Sequence, residues 1–393
     1  MAATYLDIMD PDFRPDAAEV QAAREADWYA RTPLGYAVLR YEAADGLVGD
    51  RRLRQSLLDF FPSQGITDGP LYDFMRQFIA TVEGPDHTRL RRLVSQAFTR
   101  RAVEAMRPDM RRIAENLIAG FHESGRCDFM ADFADPYSAQ IICVLLGVPE
   151  EQHDAFRGWA NDLGLVVTPF IRDYRERIEA ALAGLGGAVD GLIAKRRVDP
   201  RDDLLTALIQ AEEAGDRLAP EELRAMVIGL LLAGQDATQH QLGRAMSTFL
   251  ANQEQWDLLA ERPDLAPTAV EEVMRVGPTS TAITRIAAED FVFRDLTIEA
   301  GQFVTILLDP VHTDPEVFAE AGFDITQHRA AQLTFGGGPH FCLGAVLARA
   351  EMAEALPILA RRMRAPEAGG PAPWRPAIGI TGPTTLPLRF TPG

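Results

Sequence analysis

The spacing of apolar residues predicts a chain that is mostly helical. Apolar side chains recur every three or four positions in seven stretches, which is the period of a helix with one buried face. These stretches are residues 88–120 (more than one helix), 137–146, 172–197, 202–214, 220–251, 266–276 and 343–363. Proline and glycine support several boundaries. Pro220, followed by two glutamates, suits a first turn, and Gly147 and Gly277 suit helix ends.

The pattern changes after Gly277 and Pro278, where short runs of β-branched and aromatic residues alternate with turns. These runs predict strands at residues 281–286, 291–293, 296–298 and 303–308, after one earlier strand at 35–41. No linker rich in glycine, serine or proline separates the two regions. The sequence therefore predicts one large domain over residues 1–393, mainly α with a small β-rich part chiefly in the C-terminal third. Residues 1–30 are its least certain segment.

Composition and charge exclude several functional classes. The 393 residues carry 39 Lys and Arg against 57 Asp and Glu, a net charge of −18. Binding to nucleic acid without sequence preference needs a basic surface, so we expect no nucleic-acid partner. The best apolar runs, 141–148 and 225–234, are far shorter than the ~20 residues of a membrane-spanning helix. The chain has three cysteines, a small and odd number that does not suit a disulfide framework and favours a reducing compartment. We therefore expect a cytoplasmic protein without a membrane partner.

The clearest chemical signal is the segment Phe-Gly-Gly-Gly-Pro-His-Phe-Cys-Leu-Gly at residues 335–344. Its three successive glycines allow positive φ angles and a close approach to a flat group. Cys342 lies just before a predicted helix, whose N-terminus favours a thiolate. On these residues alone, the thiolate could be a nucleophile, a redox sensor or a metal ligand.

This segment resembles the heme-binding loop of the cytochrome P450 family. The matching positions are Phe335, Gly336, Gly338, His340, Cys342 and Gly344. Three other segments agree with the family pattern: residues 272–275 resemble its ExxR motif, 233–236 its oxygen groove on the central helix, and 87–92 the helix that reaches the heme propionates. The resemblance runs from about residue 35 to the C-terminus, and it implies the cytochrome P450 fold.

The resemblance also implies a cofactor, heme b (iron protoporphyrin IX), with Cys342 as the axial metal ligand. A thiolate donates electron density that favours O–O cleavage. The implied cofactor-binding residues are His87, Arg91, Ala233, Gly234, Arg285, Phe335, Gly336, His340, Cys342 and Gly344. Among them His87, Arg91, Arg285 and His340 would bind the propionates, because cationic side chains suit carboxylates. Glu272 and Arg275 would form a buried structural pair.

The sequence departs from the family pattern at a third member of this structural network. In the family an arginine just after the segment that begins Phe323-Asp324 completes the pair. Here Gln327 occupies its position. Either His328 or Arg329 replaces the arginine, or the network has only two members.

A second departure concerns the catalytic positions, for which we consider Asp236, Ala237, Thr238 and His240. The family has an acid followed by a threonine whose hydroxyl helps to deliver protons. Here Ala237 follows Asp236, and Thr238, rotated by ~100° around the helix, is not expected to replace the hydroxyl directly. Three alternatives remain: a substrate hydroxyl or ordered water carries the proton, Asp236 and His240 organise a different water chain, or the chemistry depends less on this relay.

The expected partners are an electron donor, O2 and a hydrophobic small molecule. The sequence has no Rossmann glycine fingerprint and no CxxC pair, so we expect a separate ferredoxin or flavodoxin with its NAD(P)H reductase. Such carriers are commonly acidic, and the candidate basic docking residues are Arg100, Arg101, Arg107, Arg111, Arg112, Arg349, Arg361, Arg362 and Arg364.

The family analogy places the substrate between the central helix and the variable regions 60–78, 163–170, 279–284 and 380–384. The implied substrate contacts are Met226, Leu230, Ala233, Ala237, Thr281, Ile283 and Ile380. This lining suits a mid-sized hydrophobic molecule with a few polar groups.

The sequence thus predicts a heme-thiolate monooxygenase that hydroxylates or epoxidises such a molecule in bacterial secondary metabolism or catabolism. Three alternatives remain at this stage. The first is a P450-type oxidase that couples phenols, forms rings or uses peroxide. The second is a heme-binding sensor without turnover, and the third is a cysteine-nucleophile enzyme without heme.

Overall fold

The computed structural model describes residues 4–168, 171–201, 203–213, 218–320 and 322–393. The helices are α1 (Ala18–Ala26), α2 (Tyr41–Val48), α3 (Leu57–Phe60), α4 (Pro70–Gln77), α5 (Gly84–Val94), α6 (Arg100–Phe121), α7 (Asp135–Leu146), α8 (His153–Leu163), α9 (Ile171–Val198), α10 (Leu204–Glu213), α11 (Pro220–Leu250), α12 (Gln253–Glu261), α13 (Ala266–Val276), α14 (Leu308–His312) and α15 (Ala345–Arg362). The strands are β1 (Tyr29–Thr32), β2 (Gly35–Val38), β3 (Leu53–Gln55), β4 (Arg126–Asp128), β5 (Ala282–Ala287), β6 (Phe291–Phe293), β7 (Leu296–Ile298), β8 (Phe303–Leu307), β9 (Met363–Ala368) and β10 (Pro387–Pro392).

The predicted helices and late strands agree with the structure to within a few residues. The prediction for α13 is correct at both ends, and so are those for β6 and β7. The strand expected at 35–41 is shorter, because Tyr41 begins α2 and its backbone N–H donates to Asp314 Oδ2 at 2.8 Å. The helix expected at 202–214 is α10, and Asp202 and Ala214 lie outside the described residues.

Six of the ten strands in the described chain lie in the C-terminal third, as expected, but the largest sheet joins late strands to early ones. Its order is β1-β2-β8-β5-β3, so it combines three strands from the first 55 residues with two late strands. β2 and β8 are parallel, whereas β3 and β5 are antiparallel and bring Gln55 beside Arg285. Local periodicity could not show this pairing, because register depends on distant segments.

The core is built around α11, whose residues are buried on nearly every side. Helices α7, α8 and α9 pack against it, and α15 packs against α6, α12 and α13. The α7–α11 approach is close: a Cβ on Gly234 would lie 2.6 Å from Ile142 Cδ1. Together α11 and α15 leave a chamber between them. No helix of the described chain has both the length and the apolarity that crossing a membrane requires.

Candidate active site

A deep chamber of about 310 Å³ lies between α11 and the loop that carries Cys342. Its wall is mostly apolar, and Cys342, a free cysteine with accessible surface, lines it, although the thiol is surrounded by protein. The predicted site residues that line this chamber are His87, Arg91, Leu230, Ala233, Gly234, Ala237, Thr238, Phe335, His340, Cys342, Gly344 and Ile380. Residues from distant parts of the sequence thus meet around one cysteine.

The glycine loop has a specific backbone geometry. Its ends are joined by a hydrogen bond from Cys342 N–H to Phe335 O at 2.8 Å. Gly336 and Gly338 have φ angles of +69° and +64°, which favour glycine. A Cβ on Gly337 would lie 2.8 Å from Val48 Cγ1. The glycine loop therefore approaches the end of α2 closely at Gly337, in addition to any flat group in the chamber.

Burial opposes ionisation of the free Cys342 thiol. It raises the pKa of Cys342, while the backbone N–H groups of Gly344 and Ala345 and the guanidinium groups of Arg91 and Arg349 act in the opposite direction. The start of α15 therefore moderates the pKa but does not lower it overall, contrary to the expectation from sequence. A metal that binds this sulfur would displace its proton.

Three cationic or titratable side chains, those of His87, Arg91 and His340, gather at one end of the chamber. The rings of His87 and His340 lie 4.1 Å apart between centroids, and His340 Nε2 is 3.1 Å from Glu83 Oε2. Burial, followed by the charges of His340 and Arg91, lowers the pKa of His87 to about 4. Arg91 Nη2 donates to Phe341 O at 2.6 Å.

Arg285 faces a second cavity of about 370 Å³, which Gly336 also lines and which shares Gln55, His340 and Ile380 with the chamber. Its guanidinium is buried and donates to Thr284 O at 3.0 Å. Within the described ranges it makes no ion pair with a carboxylate, and burial lowers its pKa. A buried cation of this kind suits an anionic group.

These observations fit heme b. An accessible sulfur lies on one side of an apolar chamber, helix α11 forms the opposite wall, and Arg91, Arg285, His87 and His340 gather where propionates would need partners. Phe335 begins the glycine loop, and the Arg349 guanidinium lies 4.3 Å from the centroid of its ring.

Helix α11 presents two adjacent residues to the chamber, Ala237 and Thr238. The ~100° rotation does not remove Thr238 from the chamber wall, because the face that includes Gly234, Thr238 and Gln241 also lines the chamber. That Thr238 does not directly replace the hydroxyl of the family stays a prediction. The Thr238 hydroxyl makes no hydrogen bond to another described residue. Thr248 on the same helix instead donates back to Arg244 O at 3.0 Å.

Asp236 and His240 lie away from the chamber wall. Asp236 is buried and Arg375 Nη1 lies 2.9 Å from its Oδ1, while His240 Nε2 lies 3.7 Å from the same oxygen. Burial lowers the pKa of His240 to about 4. Arg375 is separated from Asp236 by 139 positions, so no sequence pattern indicated this ion pair.

The expected substrate contacts are only partly brought together. Met226 is buried in the core and does not line the chamber, whereas Phe78, which packs over Gly229, does. Thr281 Oγ1 donates to Ala377 O at 2.6 Å, and Thr281 lines a different surface pocket. Ile283 lines the second cavity rather than the chamber. Of the variable region 163–170, Pro169 and Phe170 lie outside the described residues.

The structural network has a third member, Arg329. Arg275 donates to both carboxylate oxygens of Glu272 at 2.7 Å, and both residues are buried. Arg329 Nε donates to Glu272 Oε1 at 3.2 Å, whereas His328 is exposed. The chain therefore uses the arginine two positions after Gln327.

Several residues of the chamber wall were not indicated by the sequence, namely Gln55, Ile79, Phe98, Ile142, Met274, Leu347, Glu351 and Met352, together with Gln241. Gln241 could have been found, since it lies one helical turn after Ala237. It joins α11 to the turn after α13, because its amide donates to Gly277 O and accepts from Thr279 N–H, both at 2.9 Å.

The candidate docking arginines are partly neutralised. Ion pairs join Arg107 and Arg111 to Glu354, Arg112 to Asp109, and Arg349 to Glu271. The candidates that are exposed and make no ion pair in the described part of the chain are Arg100, Arg101, Arg361 and Arg364; Arg362 is half-buried.

Comparison with known proteins agrees with this geometry. The sequence profile described as Cytochrome P450 matches residues 239–365. Luteothin monooxygenase of Streptomyces thioluteus is 42% identical to the chain, covering 98% of this chain and 96% of that protein. Mycinamicin IV hydroxylase/epoxidase of Micromonospora griseorubida is 35% identical, covering 91% of each. The crystal structure of CalO2 superposes with a TM-score of 0.88 at 27% identity, covering 97% of this chain and 99% of that one.

Proposed function

The chain belongs to the cytochrome P450 family, and we propose that this heme-dependent monooxygenase inserts one oxygen atom from O2 into a mid-sized hydrophobic molecule, by hydroxylation or epoxidation. The observation that carries the proposal is the position of Cys342, whose sulfur side faces α11 across an apolar chamber. When bound, heme with a thiolate ligand supplies O2 activation, because the thiolate donates electron density.

Each part of the chamber has a proposed role. Cys342 holds the iron, and Arg91, Arg285, His87 and His340 hold the propionates. The α11 face that includes Ala233, Gly234 and Ala237 leaves room for O2 and substrate, since these side chains are small. Asp236 is paired with Arg375 and is not on the wall, so we propose that the Thr238 hydroxyl or a substrate hydroxyl orients the water that delivers protons.

The substrate is proposed to be an elongated, mostly apolar product of secondary metabolism. The chamber and the second cavity share Ile380, and the second cavity adds Thr284 and Thr305, which offer hydroxyl partners. The similar proteins named for luteothin and mycinamicin IV support this class. Ile283 would then contact the substrate in the second cavity.

Electrons are proposed to come from a ferredoxin or flavodoxin with its NAD(P)H reductase. Arg100 and Arg101, both exposed at the start of α6, offer a basic docking position for an acidic carrier. Arg361 at the end of α15 and Arg364 in β9 are also exposed.

The first test replaces Cys342. The wild-type protein, reduced and exposed to carbon monoxide, should show the Soret band typical of a thiolate complex, and Cys342→Ser should lose it. Cys127→Ser is the matched control, because Cys127 is also a free cysteine but does not line the chamber. If Cys342→Ser keeps the thiolate band and its activity, the proposal is wrong.

The second test separates oxygen insertion from phenol coupling or ring formation. Coupling and ring formation need less proton delivery, so they are compatible with an alanine at position 237. Compounds that shift the heme spin state would be turned over under labelled dioxygen. We expect one labelled oxygen atom in the product. An oxidised product without label would contradict the insertion reaction and favour the oxidase alternative.

A further inference from the structure

A buried carboxylic acid lies on the Cys342 side of the chamber. Glu351 belongs to the face of α15 that also presents Leu347, Ala348 and Met352 to the chamber. Leu347 and Ala348 lie four and three residues before Glu351, as expected for one helical face. Among the described residues of the chamber wall, Glu351 is the only Asp or Glu. It is 2% exposed, so its carboxyl group is not solvated from outside.

The Glu351 carboxyl has no counter-charge. Its Oε2 makes no hydrogen bond to the described protein, and no cation among the described residues forms an ion pair with it. On the elements packed around it, Arg107 and Arg111 of α6 pair with Glu354, and Arg349 of α15 pairs with Glu271.

The other titratable groups nearby do not neutralise it either. The Tyr137 hydroxyl donates to the backbone carbonyl of Glu351 at 3.0 Å and leaves its side chain free. Cys143, also on α7, has a pKa raised to about 12 by burial, so it contributes no charge. On α13, Glu272 is already neutralised by Arg275.

An unpaired buried carboxylate would be costly, because burial removes its hydration without providing a compensating charge. The side chain therefore holds its proton, and burial alone raises the pKa of Glu351 well above its ordinary value. Glu354, about one helical turn further along α15, differs from Glu351 because it forms ion pairs with two arginines of α6.

We propose that Glu351 is a positioning residue for heme reduction: a neutral carboxylic acid beside the heme, on the side of the thiolate ligand. The inference rests on the proposed placement of the heme in this chamber. Reduction adds negative charge to the heme, which an ionised carboxylate would oppose. A neutral acid does not oppose it, and its O–H dipole can reorient towards the added charge. No proton leaves Glu351 in this step.

The test is an infrared difference spectrum of the heme-loaded protein, reduced minus oxidised. We expect a carbonyl band of a protonated carboxylic acid that changes on reduction and shifts when the solvent is D2O. The band should be absent in Glu351→Gln and retained in Glu354→Gln, the matched control. Absence of the band in the wild type, or its persistence in Glu351→Gln, would overturn the proposal.

A potentiometric titration at pH 7 gives an independent reading. Replacing a neutral acid with a neutral amide should change the ratio of reduced to oxidised heme at a given potential by less than about threefold. Removing an ionised carboxylate should raise that ratio about tenfold or more, equivalent to about 59 mV for one electron, and this result would contradict the inference.

The thiolate band of the reduced carbon-monoxide complex separates the two proposals. If Glu351→Gln keeps the thiolate band but its infrared difference spectrum still shows the carbonyl band, only the role of Glu351 is wrong. If the wild type and every variant lack the band, the placement of the heme is wrong. The D2O measurement uses the wild-type protein alone, so a variant that folds poorly does not prevent a decision.

Discussion

At the scale of single residues, positions 237 and 238 decide what α11 can offer to the chamber. A helix turns by ~100° per residue, and a wide enough face can present two consecutive side chains. Ala237 contributes space, and Thr238 contributes a hydroxyl without a partner among the described residues. The chain therefore combines the small and the polar side chain in a different order from the one that the family resemblance implies.

Adding a hydroxyl at position 237 should change how efficiently electrons are used. We expect Ala237→Thr to keep heme binding, because only a small side chain changes in the chamber wall, but to alter product formed per NAD(P)H consumed. Product yield and peroxide release, measured with one spin-shifting compound, check this prediction. Unchanged yield would remove support for delivery of protons by a substrate hydroxyl or ordered water.

Removing the hydroxyl at position 238 should lower the amount of product formed per NAD(P)H consumed. Thr238→Val keeps the shape of the side chain and should lower coupling several-fold if its hydroxyl orients water. Thr248→Val is the matched control, because that hydroxyl is already bonded to Arg244 O. Equal coupling in both variants would argue against a role for Thr238.

At the scale of elements, the network around α13 joins a helix to the chain that leads into the heme loop. Arg275 Nη1 also donates to His312 O at 3.0 Å, so α13 holds α14 as well as the segment with Arg329. Its members form one buried group, and removal of one member leaves an uncompensated charge on another.

Substitutions at Arg275, Arg329 and His328 should therefore lower the free energy of unfolding by different amounts. Arg275→Ala should lower the free energy of unfolding by about 3–5 kcal/mol, because it leaves Glu272 buried without its main partner. Arg329→Ala should cost about 1–3 kcal/mol, since one charged hydrogen bond is lost. His328→Ala is the control and should have little effect. Denaturant titration of each variant measures these differences, and a larger loss for His328→Ala would contradict the assignment of Arg329.

At the scale of the whole molecule, buried histidines make stability depend on pH. Burial lowers the pKa of His240 to about 4 and that of His312 to about 3. Both values lie below the ordinary 6.5, so below that pH the unfolded chain binds protons that the folded chain does not. Acid should therefore destabilise the fold.

We expect these histidines to lower the unfolding free energy as the pH falls from 6.5 to 4, with a contribution from His240 of about 3 kcal/mol. His240→Gln should flatten this part of the profile, whereas the exposed His328→Gln should not. Thermal melts across the pH range measure the effect. A profile for His240→Gln as steep as that of the wild type would show that His240 does not cause it.

The net charge of −18 makes any basic patch important for docking an acidic electron carrier. We expect the combined change Arg100→Glu and Arg101→Glu to slow heme reduction by a ferredoxin at least tenfold at low salt, with the difference disappearing at high salt. Arg172→Glu, on α9, is a control for charge reversal at an exposed arginine elsewhere, with half the change in net charge. Similar rates for the two variants would place the docking surface elsewhere.

The sequence by itself determined most of the long helices, the strands between residues 281 and 308 and the glycine loop, because periodicity, turn residues and a fixed spacing around Cys342 are local properties. It did not indicate α8, α12 or the short early helices. The family resemblance also indicated which residues are expected to bind the heme. Tertiary structure alone decided that β1, β2 and β3 join the late strands, that Arg329 rather than His328 reaches Glu272, and that Arg375 engages Asp236. It decided as well that Met226 and Thr281 do not line the chamber. The physical reason is that register, ion pairing and cavity shape depend on groups far apart in sequence, whose meeting is fixed only when the whole core packs.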